Sequence, residues 1–280
     1  MPFKTLLALT EIETGPAHLE PAISIARENA AHLSVLIVGE VPHLPFYGYG
    51  GHGYVDIWAE ECKQREAVLK AAAEEMNTRL AREGLSFDIR PHLSHPESED
   101  NLIARHAIYC DLAIVLRSRK GELNSVEAKA IDGALFESGR PVLFVPQTDG
   151  PITLGERALI AWNAHREAAR ATSDALPFLM SSGVVNVLIV DPVVGDDDHG
   201  EEPGADIAAV LSRHGLNVSV SSVASAGRPV SQVLLEKARD LDVDLLVLGA
   251  YGHSRFRQNI LGGTTREMLE NSNVPLLLSH

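Results

Sequence analysis

The densest run of chemistry-bearing residues lies between Gly249 and Thr265. Gly249, Gly252, Gly262 and Gly263 punctuate it, Ser254, Arg255 and Arg257 add donors, and no carboxylate falls between Tyr251 and Thr265. The chain as a whole has 38 acidic and 24 basic residues and a formal net charge of −14, so this stretch is a local exception. Gly249 and Gly252 permit sharp turns and close approach of a ligand to the backbone. Gly262 and Gly263 leave amides unhindered where the pattern predicts a helix start, and a helix N-terminus favours an anion. Phosphate is the anion this chemistry suits. Thr264 or Thr265 adds a hydroxyl, and His253 is placed to meet a phosphate or a base. A purely structural reading stands beside this one: glycines punctuate strand-to-helix turns, and Thr264 caps the helix.

Other site chemistries are less well supplied. The run does not fit the dinucleotide fingerprint, and no Gly-Lys-Ser/Thr of a P-loop occurs anywhere. The 12 histidines include His43, His52, His92 and His95, yet no His-Glu-x-x-His spacing marks a hydrolytic zinc site. Cys62 and Cys110 suggest neither a disulfide framework nor a cysteine-rich metal site. No catalytic residue and no metal ligand is assigned. Acidic character throughout disfavours long nucleic acid and anionic membrane surfaces as partners. The N-terminus lacks the apolar region of a signal peptide and no run reaches membrane-span length, so a soluble cytoplasmic protein is expected.

The elements that must position the loop alternate in type. Residues 5–9, 33–38, 85–93, 111–116 and 141–145 read as strands, separated by helical stretches at 16–31, 58–83, 96–109 and 126–138. After residue 150 the order restarts, with strands at 158–162, 185–190, 218–223, 245–248 and 275–278. Asp111-Leu-Ala-Ile-Val lies over Asp244-Leu-Leu-Val-Leu, and Gly139-Arg-Pro over Asn273-Val-Pro, as an internal duplication would produce. Strand-helix alternation at this spacing predicts an α/β fold with parallel sheets covered on both faces. The expected domains are 1–150 and 151–280. A glycine-, tyrosine- and histidine-rich loop at 41–55 and an acidic loop at 196–204 connect strands to helices. The first offers a partner site or lid of unassigned ligand class.

With Gly249, two residues, Gly252, nine residues and Gly262, followed by the Val-Pro-Leu-Leu-Leu end, the chain resembles the universal stress protein family in its tandem form. Gly263 departs from that pattern and moves the hydroxyl to Thr264. The resemblance implies two doubly wound domains with five-stranded parallel sheets of order 3-2-1-4-5. It also implies an internal pseudo-dimer joined through strands 141–145 and 275–278, with a further homodimer open. It places Asn163 where nucleotide-binding members carry an aspartate, and Ile189 or Val190 against the base. In the first half it sets Thr10 in the aspartate place, Leu116 and Arg119 over Gly249 and Gly252, and Ala128 and Lys129 over Gly262 and Gly263, a degenerate site. Arg117, Arg119 and Lys120 supply positive charge there without the amide nest.

The implied function is a stress-response protein that binds ATP or a related adenine nucleotide, with or without magnesium. It would hydrolyse the nucleotide slowly or not at all, and act through a ligand-dependent surface. The expected nucleotide contacts are Asn163, Ile189, Val190, Gly249, Gly252, His253, Ser254, Arg255, Gly262, Gly263 and Thr264. The alternative is a nucleotide-independent regulatory scaffold or protein-interaction module. A less favoured third reading is an α/β enzyme using His253 with Ser254 or Arg255.

Overall fold

The computed structural model describes residues 2–42, 53–95, 98–118, 122–148, 150–192, 202–250 and 263–280. Ten strands form one sheet: β1 (Thr5–Glu11), β2 (His32–Glu40), β3 (Phe87–Ser94), β4 (Leu112–Leu116), β5 (Val142–Val145), β6 (Arg157–Ala161), β7 (Val184–Val190), β8 (Val218–Val223), β9 (Leu245–Gly249) and β10 (Leu276–Ser279). The helices are α1 (Glu20–Asn29), α2 (Gly53–Leu80), α3 (Glu99–Ala107), α4 (Ser125–Asp132), α5 (Arg166–Leu179), α6 (Ala205–Arg213), α7 (Val230–Asp240) and α8 (Gly263–Asn271). Among the described residues, no helix is long and apolar enough to cross a membrane.

The architecture is two Rossmann-like halves. The order across the sheet is β3-β2-β1-β4-β5-β10-β9-β6-β7-β8. The first half thus has the expected order 3-2-1-4-5. Pairing is parallel throughout except at the centre, where β5 and β10 run antiparallel and match Leu276 with Phe144, Leu277 with Leu143 and Leu278 with Val142. Each half thereby covers an edge that would otherwise stand open.

Side chains alternate across the strands and feed two buried layers. One layer takes Leu6, Ala8, Val35, Ile37, Ile160 and Val187 beneath α1, α2, α5 and α6. The other takes Leu7, Leu9, Leu36, Leu159 and Leu188 beneath α3, α4, α7 and α8. Both layers run through the two halves without a break. Phe3 packs on Phe178 with ring centroids 5.0 Å apart, which ties the start of the chain to α5. Full burial of each such side chain stabilises the fold by roughly 1.5–3 kcal/mol.

The duplication appears at the edge where β1 and β6 begin. Asp111 accepts from the backbone N–H groups of Lys4 and Thr5 at 2.7 and 3.0 Å. Asp244 accepts from those of Gly155 and Arg157 at 2.8 and 3.2 Å. Each carboxylate before a central strand anchors the strand beside it.

The helix expected at 126–138 is two pieces: α4, then a π-helical turn at Gly133–Glu137. Gly133 is required there, because a Cβ would lie 2.4 Å from the carbonyl oxygen of Asp100 on α3. Part of the loop expected at 41–55 is helix, since α2 begins at Gly53. Its residues 43–52, and most of the acidic loop at 196–204, lie outside the described residues.

Candidate functional site

At the carboxyl ends of the strands, the ladder registers decide which residues of the two halves correspond. Leu6 stands opposite Leu112, and Ala158 opposite Leu245. Asn163 therefore corresponds to Glu11, not to the expected Thr10, whose counterpart is Trp162. Thr10 is buried, and its hydroxyl has no hydrogen-bond partner among the described residues.

The helix starts also shift. α4 begins at Ser125 with Asn124 as its N-cap, one turn before Ala128 and Lys129, which counting back from the last strand selects. The extra length is absorbed by the π-helical turn. The residues that match Gly262 and Gly263 are then Asn124 and Ser125. Lys129 instead faces α3, 3.4 Å from the Glu99 carboxylate. Burial pushes that carboxyl above its usual range, opposed by Lys129 and reinforced by Glu40 and Glu11.

In the first half, the amide-rich start of the helix carries its own anion. Glu127, at the third position of α4 and buried, accepts from the Ser118 N–H at 2.7 Å, the Ser118 hydroxyl at 2.9 Å and the Asn124 N–H at 3.2 Å. Asn124 accepts in return from the Glu127 N–H at 2.8 Å, closing a capping box. The Asn124 amide also donates to the Glu11 carboxylate at 2.7 Å, which joins the end of β1 to the start of α4. A carboxylate thus fills the ground that an external phosphate would need. Arg117 reaches across the junction between the halves. It is buried and donates to the Leu269 and Glu270 carbonyl oxygens at 2.9 and 3.0 Å, capping the far end of α8 across the junction. Arg119 and Lys120 lie outside the described residues.

The first turn of α8 brings no such anion of its own. The third residue of α8 is Thr265, and the first turn holds no acidic residue. Gly263 and Thr264 are exposed, and a Cβ on Gly263 would meet no atom of the described residues within 4 Å. The positive end of the helix dipole is left without a counter-charge from its own first turn. α8 packs through Met268 and Leu269 into the layer that also takes Leu159, Leu188 and Leu248. Strand alternation puts Val190 on this face with Leu188, and Asn163 follows Leu159 and Ala161. Asn163 is exposed, and its side-chain oxygen accepts from the His165 N–H at 3.2 Å, turning the chain into α5.

Ile189 points to the opposite face and is fully buried. A Cβ on Gly204 would come within 2.8 Å of its Cδ1. Gly249 makes room for protein: a Cβ there would lie 2.5 Å from the Ala168 nitrogen and 2.6 Å from the Glu167 carbonyl carbon, so its missing side chain seats the start of α5 on β9. Gly252, His253, Ser254, Arg255, Arg257 and Gly262 lie outside the described residues.

Two non-glycine residues here adopt left-handed backbone, Ala164 (φ 57°) after β6 and Asp191 (φ 49°) after β7. Such conformations cost of order 1–3 kcal/mol each and persist where the surroundings hold them. Asp191 accepts from the Ser225 N–H at 2.8 Å, tying the ends of β7 and β8 together. Among the described residues, no group of three or more His, Cys, Asp or Glu could hold a metal ion.

Residues 161–280 match the family model described as the universal stress protein family. A universal stress protein of Synechocystis sp. is 26% identical over 176 residues, which span 60% of this chain and 58% of that relative. The chain therefore matches less than two thirds of that curated relative's length. A universal stress protein from Archaeoglobus fulgidus has a similar structure, with a TM-score of 0.68 and 20% identity over 98% of this chain and 95% of that one. A structure from Pseudomonas aeruginosa, described as a putative universal stress protein, has a TM-score of 0.58 and 15% identity over 99% and 93%. The fold is that of the universal stress protein family.

Proposed function

From the universal stress protein fold and the uncompensated start of α8, we propose that the second half binds ATP or a related adenine nucleotide. The phosphates lie at the amides of Gly263 and Thr264, with Val190 and Asn163 on the base and ribose side. Gly252, His253, Ser254, Arg255 and Gly262 complete the loop by their place in the sequence. Magnesium, where present, comes with the phosphates, since the described residues offer no carboxylate cluster of their own. The protein acts in a stress response, in the cytoplasm, through a surface that the nucleotide orders, with slow hydrolysis or none. The first half is the structural partner of the second.

One contrast carries this reading: Glu127 brings a carboxylate to α4, whereas Thr265 brings none to α8. A helix start without its own anion is suited to an external one. Isothermal titration with ATP, ADP and AMP tests the reading. Saturable heat for at least one, abolished by Gly252→Val, is expected; silence for all three refutes it.

A further inference from the structure

The strand registers make Arg117 and Ala250 equivalent. Leu112 stands opposite Leu6 and Leu245 opposite Ala158, and the Arg117 N–H donates to Val145 as the Ala250 N–H donates to Ser279, at 2.9 and 2.8 Å. The two side chains differ in reach. Arg117 is buried, and its Nη1 alone serves the Leu269 and Glu270 carbonyl oxygens of the other half, 2.9 and 3.0 Å away. Ala250 is also buried, and its methyl group can donate to nothing. The turn that follows α4 is closed from within its own half: the Ser138 hydroxyl and the Arg140 N–H both donate to the Ala134 carbonyl oxygen, at 2.7 and 3.0 Å.

α8 therefore has a cation at its carboxyl end and no acid in its first turn, whereas α4 has Glu127 in its first turn. A helix carries partial positive charge at its start and partial negative charge at its end. An anion at the start of α8 is drawn by the near end and repelled by the far one. A guanidinium on the far carbonyls cancels that repulsion and adds an attraction of its own. Nine residues make α8 about 13 Å long, a span over which a buried charge is screened less than an exposed one. Arg117 also fixes position. Met268 and Leu269 hold the flank of α8, and one nitrogen on two successive carbonyls sets how far the helix extends along its axis. Arg117 is itself held, since the N–H and hydroxyl of the next residue, Ser118, are bound by Glu127.

We infer that Arg117 is a positioning residue for the nucleotide site of the other half, acting through α8; the inference rests on the nucleotide reading above. It seats the amides of Gly263 and Thr264 and strengthens their attraction for an anion without touching the ligand. Glu127 then has two effects in the first half. It closes the start of α4 to an external anion, and it pins the strand end from which Arg117 reaches. The first half thus contributes to ligand affinity as well as covering the seam. Because the contribution is electrostatic, it grows with the charge of the ligand and falls from ATP to ADP to AMP. An arginine that only steadied the fold would change the affinity for all three alike.

Calorimetric titration of the full chain with the three nucleotides tests this. Arg117→Gln removes the charge but keeps a donor, and it is expected to weaken ATP about fivefold and AMP by clearly less. Arg117→Lys keeps the charge on one nitrogen that can serve both carbonyls, as Nη1 does, and should hold ATP affinity within about twofold of wild type. Unchanged ATP affinity in Arg117→Gln, or equal losses for ATP and AMP, overturns the inference and leaves the nucleotide reading standing. A wild type silent to all three nucleotides refutes that reading, and the inference falls with it. Should Arg117→Gln fail to fold, the wild type decides: saturating ATP is expected to shift the Arg117 Nε–H resonance at the far end of α8, and an unmoved resonance overturns the inference.

Discussion

Replacing Glu127 by threonine gives the first half the residue that the second half has at the equivalent helix position. The carboxylate accepts three hydrogen bonds, from the Ser118 N–H, the Ser118 hydroxyl and the Asn124 N–H, at a buried site. A shorter hydroxyl cannot reach all three donors. Leaving one buried N–H unpaired costs about 1–3 kcal/mol, and losing the acidic member of a cap and its favourable dipole interaction adds about 0.5–1 kcal/mol. Glu127→Thr is therefore expected to lower stability by about 1.5–4 kcal/mol in urea unfolding, with fluorescence and circular dichroism followed together to check that the transitions coincide. The vacated ground should also accept an anion. Inorganic phosphate at ten times a millimolar Kd would restore about 1.4 kcal/mol to the variant and leave the first half of the wild type unaffected. A variant within about 0.5 kcal/mol of wild type would refute the assignment of Glu127 as the internal anion of α4. Loss of stability without phosphate rescue would refute its role as a stand-in for an external ligand.

Three further outcomes follow from the same geometry. Gly249→Ala drives a Cβ into the backbone of α5, so it is expected to cost about 1–3 kcal/mol in denaturant unfolding with or without nucleotide. Arg117→Met removes the donor that serves two carbonyl oxygens at the end of α8, and it should lower stability by about 1–3 kcal/mol and speed amide exchange in α8 first. Burial, with His92 and Arg90 nearby, holds His106 below the usual histidine range, and burial with Arg90 does the same for His92. Histidines kept neutral in the fold add stability above the unfolded value of 6.5, which is lost as pH falls through the lower folded values. The Arg90 guanidinium lies 3.0 Å from His106 Nδ1, so protonation there also ends a hydrogen bond. The melting temperature should fall on acidification below about pH 6.5, and His106→Gln should flatten that dependence; an equally steep profile in the variant would assign the loss to other groups.

The alternation of strands and helices could be read from sequence because buried parallel strands are unbroken apolar runs, such as residues 187–190. The central seam came from the family resemblance, which implies pairing through strands 141–145 and 275–278; the need to cover an open edge agrees with it but does not choose the partner. The correspondence of the two edges was hidden by length. A π-helical turn adds most of a helical turn between α4 and β5, and counting back across it selects Lys129 in place of Ser125. The pattern Asn124-x-x-Glu127 is a capping-box signature, and weighing it would have placed the helix start correctly. The role of Gly249 was hidden for another reason. A glycine that admits a ligand and one that admits a neighbouring helix look the same in one dimension, and only the 2.5 Å approach to Ala168 separates them. Ile189 and Val190 could be divided by strand parity alone, once the ladder had fixed which face carries α8.

The account rests on an external anion at the start of α8 and none at the start of α4. Backbone amide shifts of labelled protein during an ATP titration test that most directly. Saturable changes at Gly263, Thr264 and Thr265, with Ser125, Val126 and Glu127 unmoved, are the predicted result. A titration that leaves the three α8 amides unchanged, or that moves the α4 amides in their place, would contradict it.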